Sequence, residues 1–148
     1  MNLKTVSLIA LGVALIGVFY LVNKHYIFTK NPISIILQGS AVGLMVWARI
    51  TFGVRSFNAT ANATKGKLIT NGPYHWFRHP IYASLIYFFI ASIISFPFIE
   101  TIVAVILIVV GLFVRMLLEE KSLLVAYEDY AEYSKKTKRN SSFCLLNL

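Results

Sequence analysis

Three short segments of this chain concentrate the side chains that can bind a polar ligand or take part in a reaction. Two of them combine charged groups with aromatic and small residues, and the third combines an arginine with two glutamates. Arginines can orient anionic groups, carboxylates accept charge-assisted hydrogen bonds from hydroxyl or ammonium groups, and aromatic faces attract cations. The segments are Trp47–Arg55, Gly72–Tyr82 and Arg115–Glu120.

The second segment is the densest, with one arginine, two histidines, two tyrosines and a tryptophan in eleven residues. Pro73 and Pro80 restrict the backbone on both sides, which lowers the entropy that a bound ligand costs. His79 and Tyr82 are three positions apart across a helix start, so they can share a face. The alternative is structural, because aromatic and basic residues also gather at the headgroup level of a membrane.

The third segment places Arg115 one helical turn before Glu119, so that the two can pair on one helix face. Glu120 points about 100° away from Glu119 and needs another partner or solvent. A helix that simply leaves a membrane would also turn polar here. Arg115, however, interrupts an apolar run, where an ionisable residue is costly enough to favour a function.

Four apolar segments must position these clusters. Hydrophobic residues make up 57% of the 148 positions, and charged residues make up 14%, well below the roughly one quarter of a soluble domain. The apolar segments approach the roughly 20 residues that a helix needs to cross a bilayer. We therefore predict an all-α integral membrane protein with a single membrane domain over residues 1–148. Its predicted elements are four transmembrane helices, about 4–22, 33–54, 80–95 and 98–118, and a cytoplasmic helical tail, about 119–139.

Prolines mark the limits of three of these helices. Asn31-Pro32 opens the second helix and Pro80 opens the third, at positions where a missing N–H costs nothing. Phe96-Pro97 separates the third helix from the fourth, because the residue before a proline is disfavoured in the helical region. The third and fourth helices are therefore predicted to form a short hairpin.

The formal net charge of +8 is unevenly distributed. Basic residues cluster between the second and third predicted helices and again in the C-terminal tail, whereas five of the six acids fall between Glu119 and Glu132. The positive-inside rule then places both termini in the cytoplasm. Because the charge flanks membrane segments, we predict anionic membrane lipids as partners and no nucleic acid.

In order and spacing, the clusters resemble the integral-membrane methyltransferases that include isoprenylcysteine carboxyl methyltransferase and the phospholipid N-methyltransferases. The family pattern runs from a Gly-Pro-Tyr turn through Arg-His-Pro-x-Tyr and a helical hairpin to Arg-x-x-x-Glu-Glu and a tyrosine-rich tail. The resemblance covers about residues 47–139 and departs from the pattern at Ser84 and Glu128, where the family usually has smaller or turn-forming residues. The matching positions are Gly72-Pro73-Tyr74, Arg78-His79-Pro80-Ile81-Tyr82, Arg115, Glu119-Glu120 and Tyr127–Tyr133.

This resemblance implies a cytoplasmic pocket for S-adenosylmethionine, formed by the third and fourth helices and their flanking segments. No metal is implied, and the single cysteine, Cys144, excludes an internal disulfide. The implied catalytic residues are Arg49, Arg115 and Glu119, with Arg49 and Arg55 near the substrate entrance. The implied cofactor-binding residues are Tyr74, Arg78, His79, Tyr82, Glu119 and Glu120.

The substrate is expected to be lipid-like or prenylated, and two reactions remain open. A carboxylate substrate is already nucleophilic and needs an arginine to orient it, for which Arg49 and Arg115 are candidates. An amine substrate must lose a proton, for which Glu119 and Glu120 are candidates.

Three other functions are alternatives to a methyltransferase. A transporter or channel subunit would need an ionisable residue near the middle of the membrane. A membrane reductase would share a related C-terminal region but would need additional helices. A small four-helix protein that binds the cofactor without turnover is the third. For the methyltransferase we expect a monomer or a loose dimer of four helices.

Overall fold

The computed structural model describes residues 3–28, 30–53 and 68–137, and the regular elements in these ranges are helices. Five are α-helices, and a short 3-10 helix precedes the third of them. The elements are α1 (Leu3–Asn23), α2 (Pro32–Phe52), the 3-10 helix (Gly72–His75), α3 (Pro80–Ser95), α4 (Ile99–Ala126) and α5 (Tyr130–Lys136).

Local signals account for the ends of α2 and α3. The side chain of Asn31 caps α2 by accepting hydrogen bonds from the backbone N–H groups of Ile33 at 3.0 Å and Ser34 at 3.4 Å. Gly53 ends α2 with φ +71°, a conformation that glycine adopts without steric cost. Pro80 begins α3 as predicted, and the helix ends before Phe96-Pro97.

The C-terminal tail differs in one respect from the predicted helix over about 119–139. Helix α4 continues without interruption to Ala126, eight residues past the predicted membrane end. Tyr127–Asp129 then interrupt the helix, and α5 follows as a separate element. The reason is that α5 is held by contacts with distant residues, described below, which require the chain to turn.

The helices pack as two pairs, α1 with α4 and α2 with α3, and α3 joins the pairs by packing on α4. Glycines bring α1 and α4 together. A Cβ atom on Gly17 would lie 2.5 Å from the carbonyl oxygen of Ala104, and one on Gly111 would lie 2.5 Å from that of Ala10. Small residues at helix contacts allow this close backbone approach inside membranes.

Side-chain hydrogen bonds join α2 to α3 at the end of the bundle where α3 terminates. Nε2 of Gln38 donates to the carbonyl of Ile27 at 2.9 Å and lies 3.4 Å from Oγ of Ser92. Oγ of Ser95 donates to Oγ of Ser34 at 2.7 Å. Buried polar groups in an apolar bundle need such partners, so these bonds fix the relative position of the two helices.

Three helices of the described residues are long and apolar enough to cross a membrane: α1, α2 and α4. Their mean hydropathies are 2.4, 1.6 and 2.8. Helix α3 is apolar but has only 16 residues, which at 1.5 Å per residue is about 24 Å, less than the hydrocarbon thickness of about 30 Å. The prolines that define α3 also limit its length, so the fourth crossing stays a prediction.

Candidate functional site

The second and third sequence clusters meet at the end of the bundle where α3 begins and α4 leaves the apolar region. Oε1 of Glu120 lies 3.4 Å from Nη1 of Arg78 and 3.4 Å from Nε2 of His79. Glu120 is 6% exposed and His79 is 4% exposed. A buried carboxylate requires compensation by nearby charge or hydrogen bonds, and Arg78 supplies the positive charge here.

Arg78 also holds α5 in place. Its Nε donates to the backbone carbonyl of Thr137 at 2.9 Å, and its Nη2 donates to that of Ser134. The last carbonyls of a helix lack partners within the helix, so these bonds satisfy groups at the end of α5. Arg78 thus joins the start of α3, the end of α4 and the end of α5. Binding of a cofactor by Arg78 remains a prediction.

A second group of contacts surrounds Tyr82 on the first turn of α3. Its ring meets that of His79 edge-on, with the centroids 5.8 Å apart, as the three-residue spacing predicted. The Tyr82 hydroxyl interacts with both Glu119 and Arg115. Nη1 of Arg115 also donates to the carbonyl of Ser7 on α1 at 3.3 Å. Arg115 and Glu119 therefore share Tyr82 as a neighbour, while Arg115 also contacts α1.

Tyr74 in the 3-10 helix connects α2 to this group. It is buried, and its ring lies 5.5 Å from that of Phe52 between centroids. Burial raises the pKa of its hydroxyl, the negative charge of Glu119 raises it further, and Arg49 lowers it. The net shift is upward, so Tyr74 stays neutral at physiological pH. Arg49 and Glu119 thus lie near the same hydroxyl, although they belong to different helices.

Tyr133 ties α5 to the 3-10 helix. Its hydroxyl donates to the backbone carbonyl of Tyr74 at 2.5 Å. Together with the two bonds from Arg78, this contact gives α5 three attachments to the segment before α3. Burial also raises the pKa of the Tyr133 hydroxyl, which keeps it protonated as a donor.

Tyr130 lies near Glu120 but is not among the cofactor-binding residues predicted from the sequence. It is 2% exposed, and its hydroxyl has no hydrogen-bond partner among the described residues. Burial and the charge of Glu120 raise the pKa of this hydroxyl. The tyrosine-rich tail was recognised as a pattern, but spacing alone does not show which of its tyrosines turns towards Glu120.

A cavity of about 710 Å³ adjoins the site on the side of α5. Its lining carries the acids Glu128, Asp129 and Glu132 and the basic residues His75 and Lys136. Oε1 of Glu132 accepts a hydrogen bond from Nζ of Lys136 at 2.6 Å, which lowers the pKa of Glu132. A cavity of this volume falls in the range of small-molecule sites.

The cavity differs from the predicted pocket in its lining. Of α3 and α4, only the last residue of α4, Ala126, is in its described lining, and the other lining residues come from segments that flank these helices. The predicted cofactor residues are not among the described lining. Tyr133 and Thr137 line the cavity and also make the contacts with Tyr74 and Arg78. The cavity and the buried cluster around Glu120 are therefore neighbours.

Two predicted residues remain, Arg49 and Arg55. Arg49 is half-buried near the end of α2, and Arg55 lies outside the described residues. Trp47, on the turn before Arg49, packs against Trp76 with the ring centroids 5.8 Å apart. In the described ranges, histidine, cysteine and acidic side chains form no group of three that could hold a metal ion.

Comparison with known proteins shows one clear relationship. The sequence model of the isoprenylcysteine carboxyl methyltransferase family matches residues 32–125, which is more than half of the chain. The match runs from the start of α2 almost to the end of α4 and includes both Arg78-His79-Pro80 and Glu119-Glu120. No curated protein sequence and no solved structure matches the chain. The chain therefore belongs to the isoprenylcysteine carboxyl methyltransferase family, a family of membrane methyltransferases.

Proposed function

We propose that this protein transfers a methyl group from S-adenosylmethionine to a lipid-like substrate at the cytoplasmic face of a membrane. The observation that carries the proposal is the convergence of His79, Arg78 and Glu120 beside Tyr82 and Glu119. These side chains come from the two motifs of the family, which are about 40 positions apart in the chain, and they meet at one end of an apolar bundle.

The residues present fit S-adenosylmethionine. Its amino-acid end carries an ammonium and a carboxylate, its ribose carries hydroxyls, and its sulfur carries a positive charge. The buried carboxylate of Glu120 can accept from an ammonium or a hydroxyl group, and so can the half-buried carboxylate of Glu119. The ring of Tyr82 offers an aromatic face to a sulfonium. His79 has a buried nitrogen, Nε2, without a hydrogen-bond partner among the described residues, which a ligand can satisfy.

When bound, S-adenosylmethionine supplies an activated methyl group on its sulfonium. The protein's own residues then have two tasks, alignment of the nucleophile with that methyl group and exclusion of water. The buried positions of His79 and Glu120 serve both tasks, because a fixed, dry carboxylate holds a ligand in a single orientation. Arg78 supports them by holding Glu120 and α5 together.

The two possible substrate classes call on different residues. For a carboxylate substrate, an oxygen forms the new bond to the methyl carbon as the bond from that carbon to sulfur breaks, and no proton must move. Arg49 or Arg115 would orient this oxygen. For an amine substrate, the nitrogen forms the bond and then loses a proton, and Glu119, beside the hydroxyls of Tyr74 and Tyr82, would accept it.

The surface of the bundle supports a substrate that arrives from the membrane. Helix α2 presents large apolar side chains outward, including Ile36 and Ile50. At its site end, Trp47 is 45% exposed and Trp76 is 57% exposed. Tryptophans favour the membrane interface, where their rings contact lipid chains and their N–H groups remain near water. The distribution of basic residues supports an orientation with both termini in the cytoplasm.

The test is calorimetric titration of S-adenosylmethionine into the purified full-length protein in detergent. His79→Asn is the test variant, because asparagine can still cap the first turn of α3. His25→Asn, in the loop after α1, is the matched control. We expect saturable binding by the wild type and by His25→Asn, and a loss of at least about tenfold in affinity for His79→Asn, as for one charge-assisted contact. A folded wild type that binds no S-adenosylmethionine would reject the proposal.

The lipid substrate is then sought with a labelled methyl donor. Prenylated thiols that carry a free carboxylate test the first reaction, and aminophospholipids in mixed micelles test the second. Transfer of label to either class supports the proposed function and selects the reaction. Binding of S-adenosylmethionine without transfer to any membrane lipid would instead favour a protein that binds the cofactor without turnover.

A further inference from the structure

Two buried polar atoms beside Glu120 have no hydrogen-bond partner among the described residues. They are Nε2 of His79 and the hydroxyl of Tyr130. His79 Nε2 lies 3.4 Å from Oε1 of Glu120, within ion-pair distance, but it is not aligned for a hydrogen bond. Buried polar groups are nearly always paired in folded proteins, so two unpaired groups around one carboxylate indicate the place of a ligand.

The three groups define the chemistry of that ligand. Glu120 is an acceptor, which suits an ammonium. Tyr130 stays protonated, because burial and Glu120 raise its pKa, so its hydroxyl can donate to an anionic oxygen. His79 Nε2 can donate to a second such oxygen when its proton is on this nitrogen. An ammonium and a carboxylate attached to the same carbon atom describe a zwitterionic α-amino acid.

We infer that Tyr130, together with His79 and Glu120, holds the α-amino-acid end of S-adenosylmethionine. The inference rests on the proposed function and assigns one end of that cofactor to one part of the site. Tyr130 is a binding residue in this assignment, and its hydroxyl donates to the α-carboxylate. Glu120 accepts from the α-ammonium, and Arg78 adds positive charge near the carboxylate.

The position of Tyr130 depends on α5, which lies beyond the residues matched by the family model. Arg78 holds the end of α5 through the carbonyls of Ser134 and Thr137, and Tyr133 holds it through the carbonyl of Tyr74. These bonds place the first residue of α5, Tyr130, beside Glu120. In this assignment α5, which follows the family-matched residues, completes the binding site through Tyr130.

The experiment compares two ligands that differ only at the end in question. S-adenosylhomocysteine carries the amino-acid end, whereas 5′-methylthioadenosine has the same nucleoside and sulfur without it. Both are titrated into full-length wild type, Tyr130→Phe and Tyr26→Phe in detergent. Tyr26 is the matched control, because it lies at the opposite end of the bundle, where its ring stacks on Phe96.

We expect Tyr130→Phe to bind S-adenosylhomocysteine about tenfold or more weakly than wild type, as for the loss of a hydrogen bond to a charged group. Its affinity for 5′-methylthioadenosine should change by less than about twofold, or about 0.4 kcal/mol, because this ligand lacks the carboxylate to which the Tyr130 hydroxyl donates. Tyr26→Phe should leave both affinities unchanged. The loss would therefore be selective for the ligand with an amino-acid end.

Two results would overturn the inference while leaving the proposed function intact. The first is binding of S-adenosylhomocysteine by Tyr130→Phe as tight as that of wild type. The second is an equal loss of affinity for both ligands, which would show a purely structural role. If Tyr130→Phe folds poorly, His79→Asn provides a second measurement. It is expected to weaken binding of S-adenosylhomocysteine but not of 5′-methylthioadenosine. A wild type that binds neither ligand would reject the proposed function itself, and this assignment with it.

Discussion

Nη1 of Arg78 lies 3.4 Å from Oε1 of Glu120, although the two residues are separated by 42 positions in the chain. The side chain of Arg78 is 16% exposed and that of Glu120 is 9% exposed. In a largely dry environment each charge offsets part of the desolvation cost of the other. This relationship explains in physical terms why the arginine of the first motif and the second glutamate of the later motif occur together.

Arg78→Lys should release α5 from the site. Lysine keeps the positive charge, but its single ammonium cannot reproduce the planar set of donors that reaches Glu120, Ser134 and Thr137. We expect a local loss of about 2 kcal/mol in the stability of α5, on the scale of hydrogen bonds that involve a charged group. Hydrogen exchange at residues 130–136 would measure it. Lys135→Arg, at an exposed position of α5, is the control. Equal protection from exchange in Arg78→Lys and wild type would contradict the role of Arg78 in holding α5 in place.

Glu120→Gln should weaken binding of S-adenosylmethionine more than it weakens the fold. Glutamine fills the same space and can still accept a hydrogen bond from Arg78, but it carries no charge to attract an ammonium. An affinity loss of about tenfold or more is expected, as for a charge-assisted contact. Titration together with a thermal unfolding curve separates the two effects. Glu100→Gln at the start of α4 is the control and should change neither the affinity for S-adenosylmethionine nor the thermal stability. Unchanged affinity in Glu120→Gln would show that Glu120 does not bind the cofactor.

The stability of the fold should decrease above about pH 10, because Tyr74 and Tyr130 have pKa values raised above the ordinary tyrosine value of 10.0. A raised pKa means that the folded state holds the proton more tightly than the unfolded state. The stabilisation is therefore complete below the unfolded pKa and is lost as the pH rises towards the folded one.

This pH effect can be separated from the titration of lysines by substitution. In thermal unfolding measured from pH 8.5 to 11, Tyr74→Phe and Tyr130→Phe should each show a smaller decrease in Tm than wild type, because phenylalanine has no proton to lose. Tyr26→Phe should follow the wild-type curve. Parallel curves for all four proteins would show that burial of these two hydroxyls does not govern alkaline stability.

Gly111→Ala should destabilise the protein by about 2 kcal/mol, within the range measured for overpacked interiors. The added Cβ would lie 2.5 Å from the carbonyl oxygen of Ala10 and 2.9 Å from the Cβ of Ala14, so α1 would have to move away from α4. Gly39→Ala on α2 is a matched control, because a Cβ there meets no atom within 4 Å. Alanine also favours the helix over glycine, so the control should be neutral or slightly stabilising. Thermal unfolding in detergent would measure both variants.

The same variant tests a role for α1 in the site. Arg115 donates to the carbonyl of Ser7, and displacement of α1 would remove this partner. In Gly111→Ala we therefore expect methyl transfer to fall further than the fraction of unfolded protein explains, because Arg115 also interacts with Tyr82. Activity that follows the folded fraction alone would show that α1 only stabilises the bundle.

The sequence by itself determined the features that depend on short stretches of chain. The asparagine and prolines at Asn31-Pro32, Pro80 and Phe96-Pro97 act on the backbone within a few residues, so the starts of α2 and α3 and the break before α4 were predicted correctly. Hydropathy over about 20 residues identified α1, α2 and α4 as candidate membrane helices. The order and types of the motif residues were sufficient to identify the family, which the match over residues 32–125 confirms.

Only the tertiary structure decided how the motif residues are used. Arg78 contacts α5, Arg115 contacts α1, and Tyr130 rather than another tail tyrosine lies beside Glu120. These relationships join positions between 10 and about 110 residues apart, and no local propensity encodes which of several chemically similar side chains completes a distant contact. Packing makes that choice, because the close approach of α1 and α4 and the turn after Ala126 determine which side chains can reach the buried carboxylate.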